Sequence, residues 1–124
     1  MTRGVILFAH GARDREWAEP FETLSARVRA LAPGTPVRLA FLELMQPDLG
    51  TAAADLIAVG VDAIRIVPIF LGPGGHLRKD LPALVAVLEA KHAGVFFEPA
   101  TPVGEDAAVL DAIAAFCVRG LGDR

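Results

Sequence analysis

Val5-Ile6-Leu7-Phe8-Ala9-His10-Gly11 is the stretch that decides how this chain is read. Five consecutive apolar side chains form a strand of the kind that is buried on both faces of a parallel sheet. The run ends on an imidazole followed by glycine. A polar, metal-capable side chain just past a buried strand is where open α/β sheets place their ligand sites. A second stretch repeats the design. The apolar residues 64–71 lead into Gly72-Pro73-Gly74-Gly75 and then His76.

Working outward from Val5, short apolar runs alternate with amphipathic ones. Trp17, Phe21, Leu24, Val28 and Leu31 recur at helical spacing and form one apolar stripe. Asp14 is placed to cap that helix and Pro33-Gly34 to stop it. Residues 37–42 read as a second strand. Pro47 can open the next helix, because a first-turn proline gives up no helical hydrogen bond. Leu49, Ala53, Leu56 and Ile57 form its inner face, and Gly60 can end it. Residues 63–70 read as a third strand. Leu81, Leu84, Val85 and Leu88 line a third helix that ends near Gly94, and residues 95–97 make a short fourth strand. Thr101-Pro102 opens a last helix, with Val109, Leu110, Ile113, Phe116 and Cys117 facing inward.

The resulting order, βαβαβαβα, predicts an α/β fold with a four-stranded parallel sheet covered by helices on both faces. Pro68 is the one residue at odds with it, since proline cannot donate to a sheet ladder. Either the third strand is at an edge there, or the ladder ends near Val67 and frees residues 69–75 as a loop over the end of the sheet. The second is the expected arrangement.

The 124 residues suit one domain, 1–124, and 53% hydrophobic residues supply its core. A net charge of −3 argues against a protein that holds nucleic acid by bulk positive charge. One cysteine, Cys117, excludes an internal disulfide and any CxxC motif, and is expected to pack as a small hydrophobe. No segment reaches the roughly 18 apolar residues of a membrane span. The first apolar run is shorter than the roughly 7–15 residues of a signal-peptide core. A soluble cytoplasmic protein is expected.

In a parallel sheet every strand ends on the same edge. His10, Glu43 and His76 each end or follow a strand, and 33 residues separate each from the next, about one βαβ unit. Two imidazoles and a carboxylate on one rim suit first-row divalent metals such as cobalt, nickel, iron or zinc. Imidazole, with an ordinary pKa of about 6.5, is also a proton acceptor near neutral pH. Arg13 lies near His10, and Arg78 and Lys79 follow His76, so a polyanionic ligand fits the same rim. The alternative for these cations is a solvated helix start. The Gly72-Pro73-Gly74-Gly75 turn can bring backbone N–H groups close to a ligand, but it is neither a Walker A loop nor GxGxxG. His92, beside Lys91 at the end of a helix, is expected to interact with the helix dipole.

At His10-Gly11, at Phe41-Leu42-Glu43, and at Val67-Pro68-Ile69-Phe70-Leu71-Gly72-Pro73-Gly74-Gly75-His76, continuing to Asp80-Leu81-Pro82, the chain resembles the class II tetrapyrrole chelatases of the CbiX/SirB type. The last motif is long and specific, and the order of elements is similar along the whole chain. The resemblance implies a chelatase-like, flavodoxin-like three-layer sandwich. It also implies insertion of a divalent metal, cobalt first and nickel or iron as alternatives, into sirohydrochlorin, a tetrapyrrole bearing carboxylates, on the way to cobalamin or sirohaem. The metal is then a substrate, no cofactor is tightly bound, and no iron–sulfur cluster is implied. Short members form homodimers with the active site between subunits. The family's proton acceptor and metal ligand falls on His10 and its second metal ligand on His76. Its substrate-contacting positions fall on Glu43 and on Leu71, Gly72, Pro73, Gly74 and Gly75. Where many members read His-Gly-Ser, this chain reads His10-Gly11-Ala12 and lacks the hydroxyl. A non-catalytic metal- or tetrapyrrole-binding protein on the same fold is the alternative. A phosphate-binding module at the Gly-rich turn is a third reading.

Overall fold

Four strands form one sheet in the order β2-β1-β3-β4, with every pairing parallel: β1 (Arg3–Ala9), β2 (Val37–Phe41), β3 (Ala63–Pro68) and β4 (Phe96–Pro99). The computed structural model describes residues 1–72 and 74–122, the side chains of Gly75 and His76 excepted. Between and after the strands run α1 (Glu19–Leu31), α2 (Leu49–Ala58), α3 (Gly74–Lys91) and α4 (Ala107–Val118). Among the described residues no helix is long and apolar enough to cross a membrane.

The residues of β1 explain its central place. Ile6, Leu7, Phe8 and Ala9 are all buried, so both faces of the strand are covered. Ile6 and Phe8 join Ala40, Ile64, Ile66 and Phe97 on one face of the sheet. There α2 supplies Leu49, Ala52, Ala53 and Leu56, and α3 supplies Leu77, Val85 and Leu88. On the other face a smaller cluster of Ala9, Ala18 and Phe41 packs with Trp17, Phe21, Leu39 and Met45, so α1 covers β2 and the end of β1. The crossovers thus put α1 on one side and α2 and α3 on the other, as right-handed connections require for this strand order.

Local signals place the helix starts. Asp14 does act as a cap, accepting from the Glu16 N–H at 2.9 Å, but what it caps is a short 3-10 turn, Arg15–Ala18, that precedes α1. α2 is capped by Asp48, which accepts from the Thr51 N–H at 2.8 Å, so Pro47 lies outside the helix. The bond between Gln46 and Pro47 is cis. α3 starts at Gly74 and takes in the second half of the Gly-rich turn. Thr101-Pro102 leads into a 3-10 turn, Val103–Glu105, and α4 begins only after Asp106, whose carboxylate accepts from the Val109 N–H at 3.1 Å. The fourth strand sits slightly later than expected, at Phe96–Pro99.

The ladder ends at Pro68, one residue beyond the expected end near Val67, and Pro68 is still part of it. It pairs with Phe8, and the Ile69 N–H donates to the Phe8 carbonyl at 2.8 Å. The N–H that Pro68 lacks belongs to the side facing β4. That strand has already run out there, its last contact being the Ala100 N–H on the Ile66 carbonyl at 2.8 Å. β3 is therefore an edge locally on one side only, and proline is tolerated for that reason. Residues 69–70 are not a free loop, because Phe70 is buried.

The expected apolar stripes fail at two places. Leu31, the last residue of α1, is 87% exposed. No residue of α4 is buried, and Cys117 is exposed rather than packed in the core. Within the chain α4 packs mainly against the 103–105 turn that precedes it.

Candidate functional site

The rim at the C-terminal ends of the strands is assembled by backbone bonds that continue the sheet past its last regular residues. The Leu42 N–H donates to the Ala9 carbonyl at 2.8 Å, and the Glu43 N–H donates to the His10 carbonyl at 3.0 Å. His10 and Glu43, expected on one rim from spacing alone, are therefore direct backbone neighbours. The Glu43 carbonyl then accepts from the Met45 N–H at 2.8 Å in a tight turn that puts Leu44 at φ 67°. Both side chains face solvent.

Gly11 makes this approach possible. Its φ is +95°, and a Cβ built there would lie 1.8 Å from the Glu43 carbonyl oxygen. Glycine alone meets both conditions, the left-handed backbone and the absent side chain. The glycine after His10 is thus explained by the residue that must sit beside His10.

The orientation of His10 is set by a residue that the sequence reading did not single out. The His10 ring stands at 87° to the ring of Phe70, with centroids 4.5 Å apart. Phe70 is buried and makes a second edge-on contact with Phe8 at 6.1 Å. Such pairs are worth about 0.5–1.5 kcal/mol beyond burial, enough to favour one imidazole orientation. The available signal was the aromatic ring two residues beyond Pro68, at the same rim level as His10.

The other predicted contact residues divide. Leu71 and Gly72 are exposed at the rim, and Gly74, at φ +68°, turns the chain into α3. The Phe70 carbonyl accepts from the Gly104 N–H at 2.9 Å, and a Cβ at Gly104 would fall 1.8 Å from the Leu71 oxygen, so the 103–105 turn buttresses this segment. Pro73 lies outside the described residues. For Gly75 and His76 only the backbone is described, in the first turn of α3. Among the described residues no three His, Cys, Asp or Glu side chains gather as a metal site.

The cations also divide. Arg13 and Arg15 line a cavity of about 380 Å³ with Ala12, Leu44, Met45 and Gln46, immediately beside the His10–Glu43 segment. Arg15 was not singled out in the sequence. Arg78 is engaged with Glu105 at 3.3 Å and ties α3 to the 103–105 turn. Both partners are partly exposed, so this pair is worth little in stability. Asp48, at the start of α2, has its carboxyl held below the usual carboxylate range, first by the Thr51 backbone N–H and then by the Thr51 side chain.

A family model for CbiX matches residues 4–117, which take in every strand and nearly all of α4. The chain belongs to the CbiX family. Among its relatives is a sirohydrochlorin cobaltochelatase of Sulfurisphaera tokodaii, 31% identical over 103 residues, covering 83% of this chain and 81% of that one. A chloroplastic sirohydrochlorin ferrochelatase of Arabidopsis thaliana is 27% identical over 110 residues, which are 89% of this chain but 49% of the relative. A crystal structure of a CbiX protein from Marinobacter aquaeolei VT8, assigned to cobalamin (vitamin B12) biosynthesis, is 36% identical. It superposes with a TM-score of 0.85 over 98% of this chain and 96% of that one. The four-stranded parallel α/β architecture is thus that of the CbiX fold.

Proposed function

We propose that this CbiX chain is a metal chelatase that inserts a divalent metal into sirohydrochlorin or a close relative, with cobalt as its metal and cobalamin biosynthesis as its setting. Support for the substrate comes from relatives named as sirohydrochlorin chelatases. The choice of cobalt rests on the cobaltochelatase names, beside which a ferrochelatase also stands, so iron and nickel are kept as competitors.

The observation that carries the chemistry is the bond that holds Glu43 beside His10 on an open rim. Two pyrrole protons must leave a tetrapyrrole as the metal enters, and a neutral imidazole can accept one of them. In this reading His10 takes that proton and ligates the incoming metal, and His76 is the second ligand. Imidazole nitrogens suit cobalt, nickel and iron alike. Glu43 accepts the second proton or binds the hydrated metal. Leu71, Gly72, Pro73, Gly74 and Gly75 contact the macrocycle, and Arg13 and Arg15 meet its carboxylates in bidentate geometry. Two copies of the chain share one macrocycle between their rims.

The test is to mix the purified protein anaerobically with sirohydrochlorin and Co²⁺, Ni²⁺ or Fe²⁺ and follow the absorbance spectrum. Insertion by Co²⁺ faster than the protein-free control is the expected result. Tight binding of metal or macrocycle with no acceleration for any of the three would replace the enzyme with a binding protein. Ala12, where the common serine hydroxyl is missing beside Arg13, is the feature that favours that second outcome.

A further inference from the structure

Leu44 sits where neither the backbone nor the core favours a leucine. Its φ is 67°, and the Met45 N–H donates across it to the Glu43 carbonyl at 2.8 Å, so Leu44 is the middle residue of a γ-turn. The positive-φ form of that turn is rare and strained. Among the described residues Leu44 is the one residue other than glycine with a positive φ. Glycine or asparagine would take this backbone at less cost. Burial does not compensate. Leu44 is 60% exposed and belongs to neither core cluster, whereas Met45 beside it packs on the cluster of Ala9, Ala18 and Phe41.

The turn is held in place. The Phe41 N–H donates to the Pro47 carbonyl at 2.9 Å and closes the base of the 42–46 excursion, while Leu42 and Glu43 are bonded to Ala9 and His10. A strained residue that its surroundings hold fixed, with its side chain left in solvent, points to a binding contact rather than a need of the fold. The neighbours say what it would bind. In the sheet order β2-β1-β3, Leu44 follows β2 and Leu71 follows β3, on either side of His10 at the end of β1. Leu71 is also exposed. Neighbouring strands lie about 5 Å apart, so one flat ligand centred on the imidazole reaches both leucines. Leu44 also lines the cavity that holds Arg13 and Arg15, with Glu22 on the same wall. An apolar contact beside two guanidiniums suits a ligand with a broad apolar body and anionic arms.

We propose that Leu44 is a substrate-contacting residue. Its side chain bears on the apolar face of the tetrapyrrole while Arg13 and Arg15 take the carboxylate arms, and the backbone strain at φ 67° is kept for that contact. The proposal rests on the chelatase reading and adds to it a residue that the sequence did not mark. Contact with the face of the ring is the same before and after the metal enters, so it is uniform binding. It sets KM and not the rate at saturation.

Leu44→Asn tests this in the full chain, because asparagine removes the apolar side chain yet tolerates the left-handed backbone. Sirohydrochlorin binding is measured without metal, Co²⁺ insertion by absorbance, and stability by urea unfolding. Leu44→Asn should bind sirohydrochlorin about tenfold more weakly, as expected for losing the burial of a leucine, and raise KM by a similar factor with kcat within about threefold of wild type. Its urea midpoint should be no lower than that of wild type, since the strain is relieved. The loss of affinity should be the same at low and high salt, because an apolar contact is not screened. Leu44→Met, which restores an apolar side chain, should recover most of the affinity. A wild type that does not bind sirohydrochlorin would overturn the chelatase reading and this proposal with it. If wild type binds, three results would each overturn the role of Leu44 alone: unchanged affinity in Leu44→Asn, a loss that vanishes at high salt, or a lowered urea midpoint, which would make Leu44 a residue of the fold.

Discussion

His10, Gly11, Glu43 and Phe70 behave as one unit. Glu43 donates its N–H to the His10 carbonyl, Gly11 leaves the space for that approach, and Phe70 holds the imidazole edge-on. Gly11→Ala is therefore expected to destabilise the fold by at least the roughly 1–3 kcal/mol of a forced left-handed residue, since the added Cβ also meets the Glu43 oxygen. Urea unfolding measures it, and a loss below about 0.5 kcal/mol would mean that the rim rearranges freely. The pairing of His10 with Glu43 was legible in the sequence because strand ends in a parallel sheet share an edge. Phe70 was not legible, because an aromatic ring inside an apolar run looks like any other core residue until its neighbour is known.

At the scale of elements, the order of strands and helices could be read because apolar runs and helical stripes are local patterns. What a stripe meets is not local. The side of α4 read as inward is the side the structure leaves open, because periodicity reports which face is apolar and not what covers it. A signal did exist in the strands. Arg65 between Ile64 and Ile66, and Glu98 after Phe97, alternate as in a strand with one covered face, and β1 has no such interruption. The start of α2 gives an element-scale prediction. Asp48→Ala should cost about 1 kcal/mol near pH 7, the usual value of an N-cap. Because its folded pKa lies below the unfolded one, the carboxylate stabilises fully above the unfolded value near 3.9 and loses its contribution as pH falls through the folded value. The stability gap between wild type and variant should begin to narrow only as pH falls below about 4 and go on closing as pH falls through the folded pKa, and a gap that stays constant down to pH 2 would assign the loss to packing.

As a whole molecule, the chain is a CbiX sheet with one fully covered face, one partly covered face and an open rim. The rim carries the proposed chemistry. The central claim is that His10 takes part in metal insertion rather than only in binding. The most direct measurement is the rate of Co²⁺ insertion into saturating sirohydrochlorin by wild type and His10→Ala, with macrocycle binding followed by fluorescence in parallel. His10→Ala should bind the macrocycle but insert metal no faster than the protein-free control. His10→Ala inserting at the wild-type rate would contradict it.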